Sequence, residues 1–90
     1  MAMNYKEELK TIANRLDLMG KEGVNQYDVL KLNEMRLKGI EMSHLIKNDT
    51  ARSEGLKLLD REVTKEMDEE DLKMMLSRID TAINTIQEHI

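Results

Sequence analysis

Ninety residues, 40% hydrophobic and 36% charged, with a net charge of −4 and neither cysteine nor proline, make one small domain at most. The missing cysteine removes disulfides, thiolate chemistry and cysteine metal sites together. No uninterrupted apolar run exceeds three residues, so neither a membrane span nor a signal-peptide core is expected, and the location expected by default is cytoplasmic.

Four glycines, two tyrosines as the only aromatics, and abundant Leu, Met, Glu and Lys favour helix over sheet. The expected fold is all-α: a small antiparallel bundle of three to four helices in a single domain spanning residues 1–90. A chain of this size buries only about 60% of the surface that its unfolded form exposes. Without disulfides, association into a homodimer is the remaining source of support. Lys and Arg balance Asp and Glu at eight each over residues 1–50, whereas residues 51–90 carry six against ten. An acidic second half with no basic cluster argues against nucleic acid as a partner.

Tyr5, Leu9, Ile12, Leu16 and Met19 are spaced by alternating fours and threes and predict a first helix over about 4–19. Asn4 and Glu7 stand at the spacing of a capping box, Gly20 at that of a helix-ending residue, and Met3 offers an alternative start to the chain. Asn25 with Asp28, flanked by Val24 and Val29, then caps a second helix over about 26–47, followed by a turn at Asn48-Asp49-Thr50. A third helix over about 51–64 carries Leu56, Leu59 and Val63 on one side, with Gly55 inside it. The last, over about 69–89, has the seam Leu72, Leu76, Ile79, Ile83, Ile86 and Ile90. Extended backwards, that seam misses Leu56, Leu59 and Val63. The apolar phase therefore slips within 64–71, where either Asp68 and a Met67/Leu72 staple restart a separate helix or, with neither glycine nor proline present, one helix bends and continues.

The second helix is apolar on two sides. Leu32, Met35, Gly39, Met42 and Ile46 form one stripe; Leu30, Asn33, Leu37, Ile40 and His44 form another about 160° away at 100° per residue. A helix on the outside of a bundle needs one such stripe. Either the other helices of the chain cover both, or one stripe meets a second copy or another protein. The wholly non-polar stripe, with Gly39 permitting close approach, suits the core. The stripe containing Asn33 and His44 tolerates exposure and is the expected interface.

His44-Leu45-Ile46-Lys47 is similar to the His-x-x-Lys core of histidine phosphotransfer domains, over four residues, with Asn48 where that family usually has glycine. The resemblance implies a helical bundle with His44 as phospho-acceptor and Lys47 neutralising the phosphate. Glu41 and His44 make one Glu-x-x-His pair, where a di-metal carboxylate bundle needs two and two further glutamates. Asp68-Glu69-Glu70-Asp71 lacks the spacing of a calcium loop and reads as favourable charge at a helix N-terminus. Ser43 and His44 are adjacent and so point about 100° apart on a helix. No cofactor, metal site or catalytic group is expected. The primary expectation is a non-catalytic helical interaction module: a small regulator, inhibitor or adaptor that self-associates and binds a protein partner, with no nucleic acid or membrane. The alternatives are phosphotransfer through His44, or a structural subunit of a larger assembly such as a phage component.

Overall fold

The computed structural model describes residues 4–90; the alternative start at Met3 lies outside them. The described residues form α1 (Tyr5–Glu22), a 3-10 turn (Gln26–Asp28) running straight into α2 (Val29–Ser43), α3 (Asp49–Leu58) and α4 (Glu69–His89), with no strand among them. The chain is all-helical. α4 has the bounds expected of it, whereas the ends of α1, α2 and α3 differ from expectation.

α1 continues past Gly20, which has ordinary helical backbone, and stops at Gly23, whose φ of 93° suits a residue without Cβ. The Gly23 N–H reaches back to the Met19 carbonyl at 2.9 Å. At the start of the helix, Asn4 Oδ1 accepts from the Lys6 N–H at 3.0 Å. The capping box at Asn25 and Asp28 forms in both directions, and Val24 and Val29 on either side of it are buried.

α2 ends at Ser43, short of the expected 47, because Asn48 is the N-cap of α3 and not part of a loose turn. Its Oδ1 accepts from the Ala51 N–H at 3.0 Å, and Arg52 donates to the Ile46 carbonyl at 2.8 Å. Ile46 still turns inward and is buried.

α3 stops at Leu58 and not near 64, with neither glycine nor proline to end it. Arginines on other helices take up its terminal carbonyls. Arg78 of α4 donates to Lys57 O at 2.8 Å and Leu58 O at 3.1 Å, and Arg36 of α2 donates to Leu59 O at 2.8 Å. A guanidinium at a helix C-terminus satisfies orphan carbonyls and opposes the negative end of the dipole. The segment 59–68 is an irregular connection with a turn at 64–67, held from inside by Leu59 and Val63, both buried. Asp68 then caps α4 by accepting from the Asp71 N–H at 2.8 Å. The phase slip thus marks a real break, one that begins earlier than the apolar pattern suggests.

α4 is the helix that packs against α1, α2 and α3 alike. It contributes Leu72, Met75, Ile79, Ile83 and Ile86 to the core, all buried. Lys6 and Lys10 of α1 lie beside Gln87 and Ile90, and Asp17 and Lys21 lie beside Lys73 and Ser77, so α1 and α4 run in opposite directions. Glu8 beside Lys38 and Met19 beside Lys31 make α1 antiparallel to α2 as well.

α2 approaches the connection closely at one point. A Cβ on Gly39 would stand 2.9 Å from Leu59 Cδ1 and 3.5 Å from Ile83 Cδ1. Both neighbours are fully enclosed, so they have little room to yield. Gly39→Val is therefore expected to destabilise the fold by about 1–3 kcal/mol through overpacking, despite replacing a poor helix former. Denaturant unfolding of the two proteins checks this; an unchanged midpoint would contradict the close approach.

Candidate docking surface on the second helix

The two stripes of α2 have different fates. Leu32, Met35, Gly39, Met42 and Ile46 are all buried against the rest of the chain. The opposite face is not closed. Leu30 is 70% exposed and Leu37 56% exposed, and the two lie only about 20° apart around the helix at 100° per residue. Tyr27 in the 3-10 turn and Leu45 just beyond the C-terminal end of α2 are also open to solvent, at 86% and 46%. A row of large apolar side chains along one helix marks a contact surface more strongly than single exposed leucines do.

Of the five residues expected at an interface, Leu30, Leu37 and His44 share the exposed face, His44 in the turn that follows α2. Ile40 is half-buried and packs on the core cluster from the edge of the face. Asn33 has a different partner. Its Oδ1 accepts from the Val63 N–H at 3.0 Å and its Nδ2 donates to the Val63 carbonyl at 2.7 Å. The side-chain amide thus completes both hydrogen bonds of one backbone residue in the connection, and its Oδ1 also takes the Arg36 Nε–H at 3.3 Å. Tyr27 and Leu45 were not among the expected interface residues. Tyr27 stands three positions before Leu30, a spacing that puts it close to the same face. Leu45, eight positions after Leu37, lies about 80° from it on a helix running to 47.

One flank of the face, towards α1, carries Lys31, Glu34, Lys38 and Glu41. Lys38 Nζ lies 3.1 Å from Glu8 Oε1 and 3.4 Å from Glu41 Oε2, tying α2 to α1. The hydrogen bond from Lys38 to Glu8, and then the charge of Glu8, hold the ammonium pKa above the ordinary lysine value. A base whose folded pKa is raised adds stability below its unfolded pKa, about 10.4 for lysine, and loses it as pH rises through the folded value. Lys38→Gln is therefore expected to lose less stability than the parent between pH 10 and strongly alkaline conditions. Thermal melts of both proteins across that range check it; parallel curves would remove the coupling.

Comparison with known protein families, curated proteins and solved structures finds no match.

The other chemistry weighed from sequence is placed as follows. Among the described residues, no three His, Asp or Glu side chains converge on one point. Glu41 turns to Lys38, and His89 Nδ1 lies 2.9 Å from the Thr85 carbonyl within its own helix. His44 and Lys47 are both exposed in the segment between α2 and α3. Ser43 is fully buried against Gly55, where an added Cβ would come within 3.2 Å of its Oγ, so it faces away from the solvent that His44 meets. The acidic run is the cap and first turn of α4. No helix of the described residues is long and apolar enough to cross a membrane.

Proposed function

We propose that this chain is a non-catalytic helical interaction module, which packs the outer face of α2 against another protein chain. In this reading it associates with itself as a homodimer and acts as a small regulator, inhibitor or adaptor of a larger protein in the cytoplasm. One observation carries the reading: Leu30 and Leu37 stand open on the side of α2 opposite a core that is otherwise closed. Burying a leucine side chain is worth about 1.5–3 kcal/mol, so two in line provide a centre of binding energy without any catalytic group. The polar and charged residues around them match the rim of such a contact.

The test compares the parent with Leu30→Ser/Leu37→Ser, in which both side chains leave mostly solvent and stability shifts by under about 1 kcal/mol. Both are immobilised and exposed to extract from the native host. A protein retained by the parent and lost by the equally folded double variant is the expected result. Identical retention by both, or none by either together with no self-association, would overturn the reading.

A further inference from the structure

The exposed face of α2 has a charge pattern that identifies what it fits. Lys31, Glu34, Lys38 and Glu41 alternate in sign along one flank at spacings of three, four and three residues. Lys31 and Glu34 have no ion-pair partner among the described residues; Lys38 and Glu41 pair with each other and, for Lys38, with Glu8. Half of the row is thus uncommitted within the chain.

We propose that a second copy of this chain docks on the face, with its α2 antiparallel and a two-fold axis crossing at the level of residue 36. The proposal rests on the docking reading above and specifies its occupant. A two-fold axis perpendicular to a helix lays each flank against the same flank of its copy, read in reverse. An alternating row read against its own reverse pairs every cation with an anion. Aligning residue 36 with itself sets Lys31 opposite Glu41 of the second copy and Glu34 opposite Lys38 of the second copy, each twice by symmetry. The same register sets Tyr27 opposite Leu45, the two exposed apolar groups at either end of α2. Leu30 then falls near Ile40 and His44 of the copy, and Leu37 near the copy's Leu37, so each exposed leucine meets an apolar neighbour. A parallel pair would instead lay the charged flank against the opposite one, which carries Asn33, Arg36 and Ile40 and offers no matching anions. One register satisfies the apolar row, the charged row and both ends.

α2 is 15 residues long, about 22 Å at 1.5 Å per residue. A single helix pair of that length lies at the low end of interface sizes, so the dimer is a concentration-dependent one. Sedimentation equilibrium over a wide concentration range reads it directly. The parent is expected to reach twice the monomer mass. Glu34→Lys/Glu41→Lys makes the flank wholly positive and is expected to weaken self-association by about 30-fold or more, through the loss of four pairs and the gain of like-charge contacts. Lys31→Glu/Lys38→Glu makes it wholly negative with the same effect, and mixing the two variants is expected to restore a dimer as a heterodimer. Thermal melts establish that each variant is folded before its mass is read.

Orientation is tested in the cysteine-free background. Lys31→Cys mixed with Glu41→Cys is expected to form a disulfide between the two variants under mild oxidant, and Lys31→Cys alone is not. A parent that stays monomeric at every concentration overturns the second copy as occupant, while retention of a different protein in the extract experiment leaves the docking reading standing. A dimer unaffected by charge reversal, or one in which Lys31→Cys links to itself, overturns the antiparallel register.

Discussion

Ile83→Ala is expected to cost about 2–5 kcal/mol, the range for deleting a fully enclosed aliphatic side chain whose surroundings relax only in part. Ile83 has no exposed surface, lies on the helix that touches all three others, and its Cδ1 stands 3.5 Å from where a Gly39 Cβ would be. The cavity opens where α4 meets α2 beside Gly39. Against a total stability of about 5–15 kcal/mol for a domain, that is a large fraction. In a domain of this length each kcal/mol shifts the melting temperature by about 4–8 °C, so a fall of roughly 10–30 °C is anticipated in calorimetry. Leu37→Ala is the matched control: its side chain is 56% exposed in the single chain, and at concentrations low enough to keep the chain monomeric its melting temperature should scarcely move. Equal effects at the two positions would contradict the assignment of inner and outer faces on α2 and α4.

The second large effect belongs to Asn33→Asp. The substitution keeps size and shape, but a carboxylate can accept from the Val63 N–H and cannot donate to the Val63 carbonyl, now 2.7 Å from an Asn nitrogen. One hydrogen bond becomes a contact between two acceptors in a partly buried place, with an expected cost at neutral pH of about 2–4 kcal/mol. Two neighbours act in opposite directions on the titration of the new carboxyl: the Val63 carbonyl favours the protonated acid, and Arg36, which donates to the same side-chain oxygen at 3.3 Å, favours the carboxylate. Chemical denaturation of parent and variant at pH 7 reads the cost directly. Equal midpoints would mean that the Asn33 amide does not hold Val63.

Periodicity in the sequence located four helical segments and selected the buried stripe of α2, because both depend on residues three and four apart. The boundaries that escaped it depend on residues far apart. Nothing within 51–64 announces that α3 stops at Leu58; its terminal carbonyls are taken by Arg78, twenty positions on, and by Arg36, more than twenty positions back. Asn33 looked like a polar member of an outward stripe because its partner, the Val63 backbone, is thirty residues away. Asn25 with Asp28 and Asp68 with Asp71 were legible for the opposite reason: each satisfies a backbone group three residues off. The same limit applies to the outer face. The pattern named Leu30, Leu37 and His44 together, and passed over Tyr27 and Leu45 because both fall about 60° from Leu30 at 100° per residue, on the side away from the rest of that stripe.

The arginine stops have a consequence for how the chain acquires its shape. A ten-residue helix such as α3 is marginal alone in water, and a glycine stop would have been written into the segment itself. Here the carbonyls at the end of α3 are satisfied by Arg36 and Arg78, side chains that reach them only when α2 and α4 are packed against that end. The C-terminal limit of α3 is thus a property of the assembled bundle and not of its own ten residues.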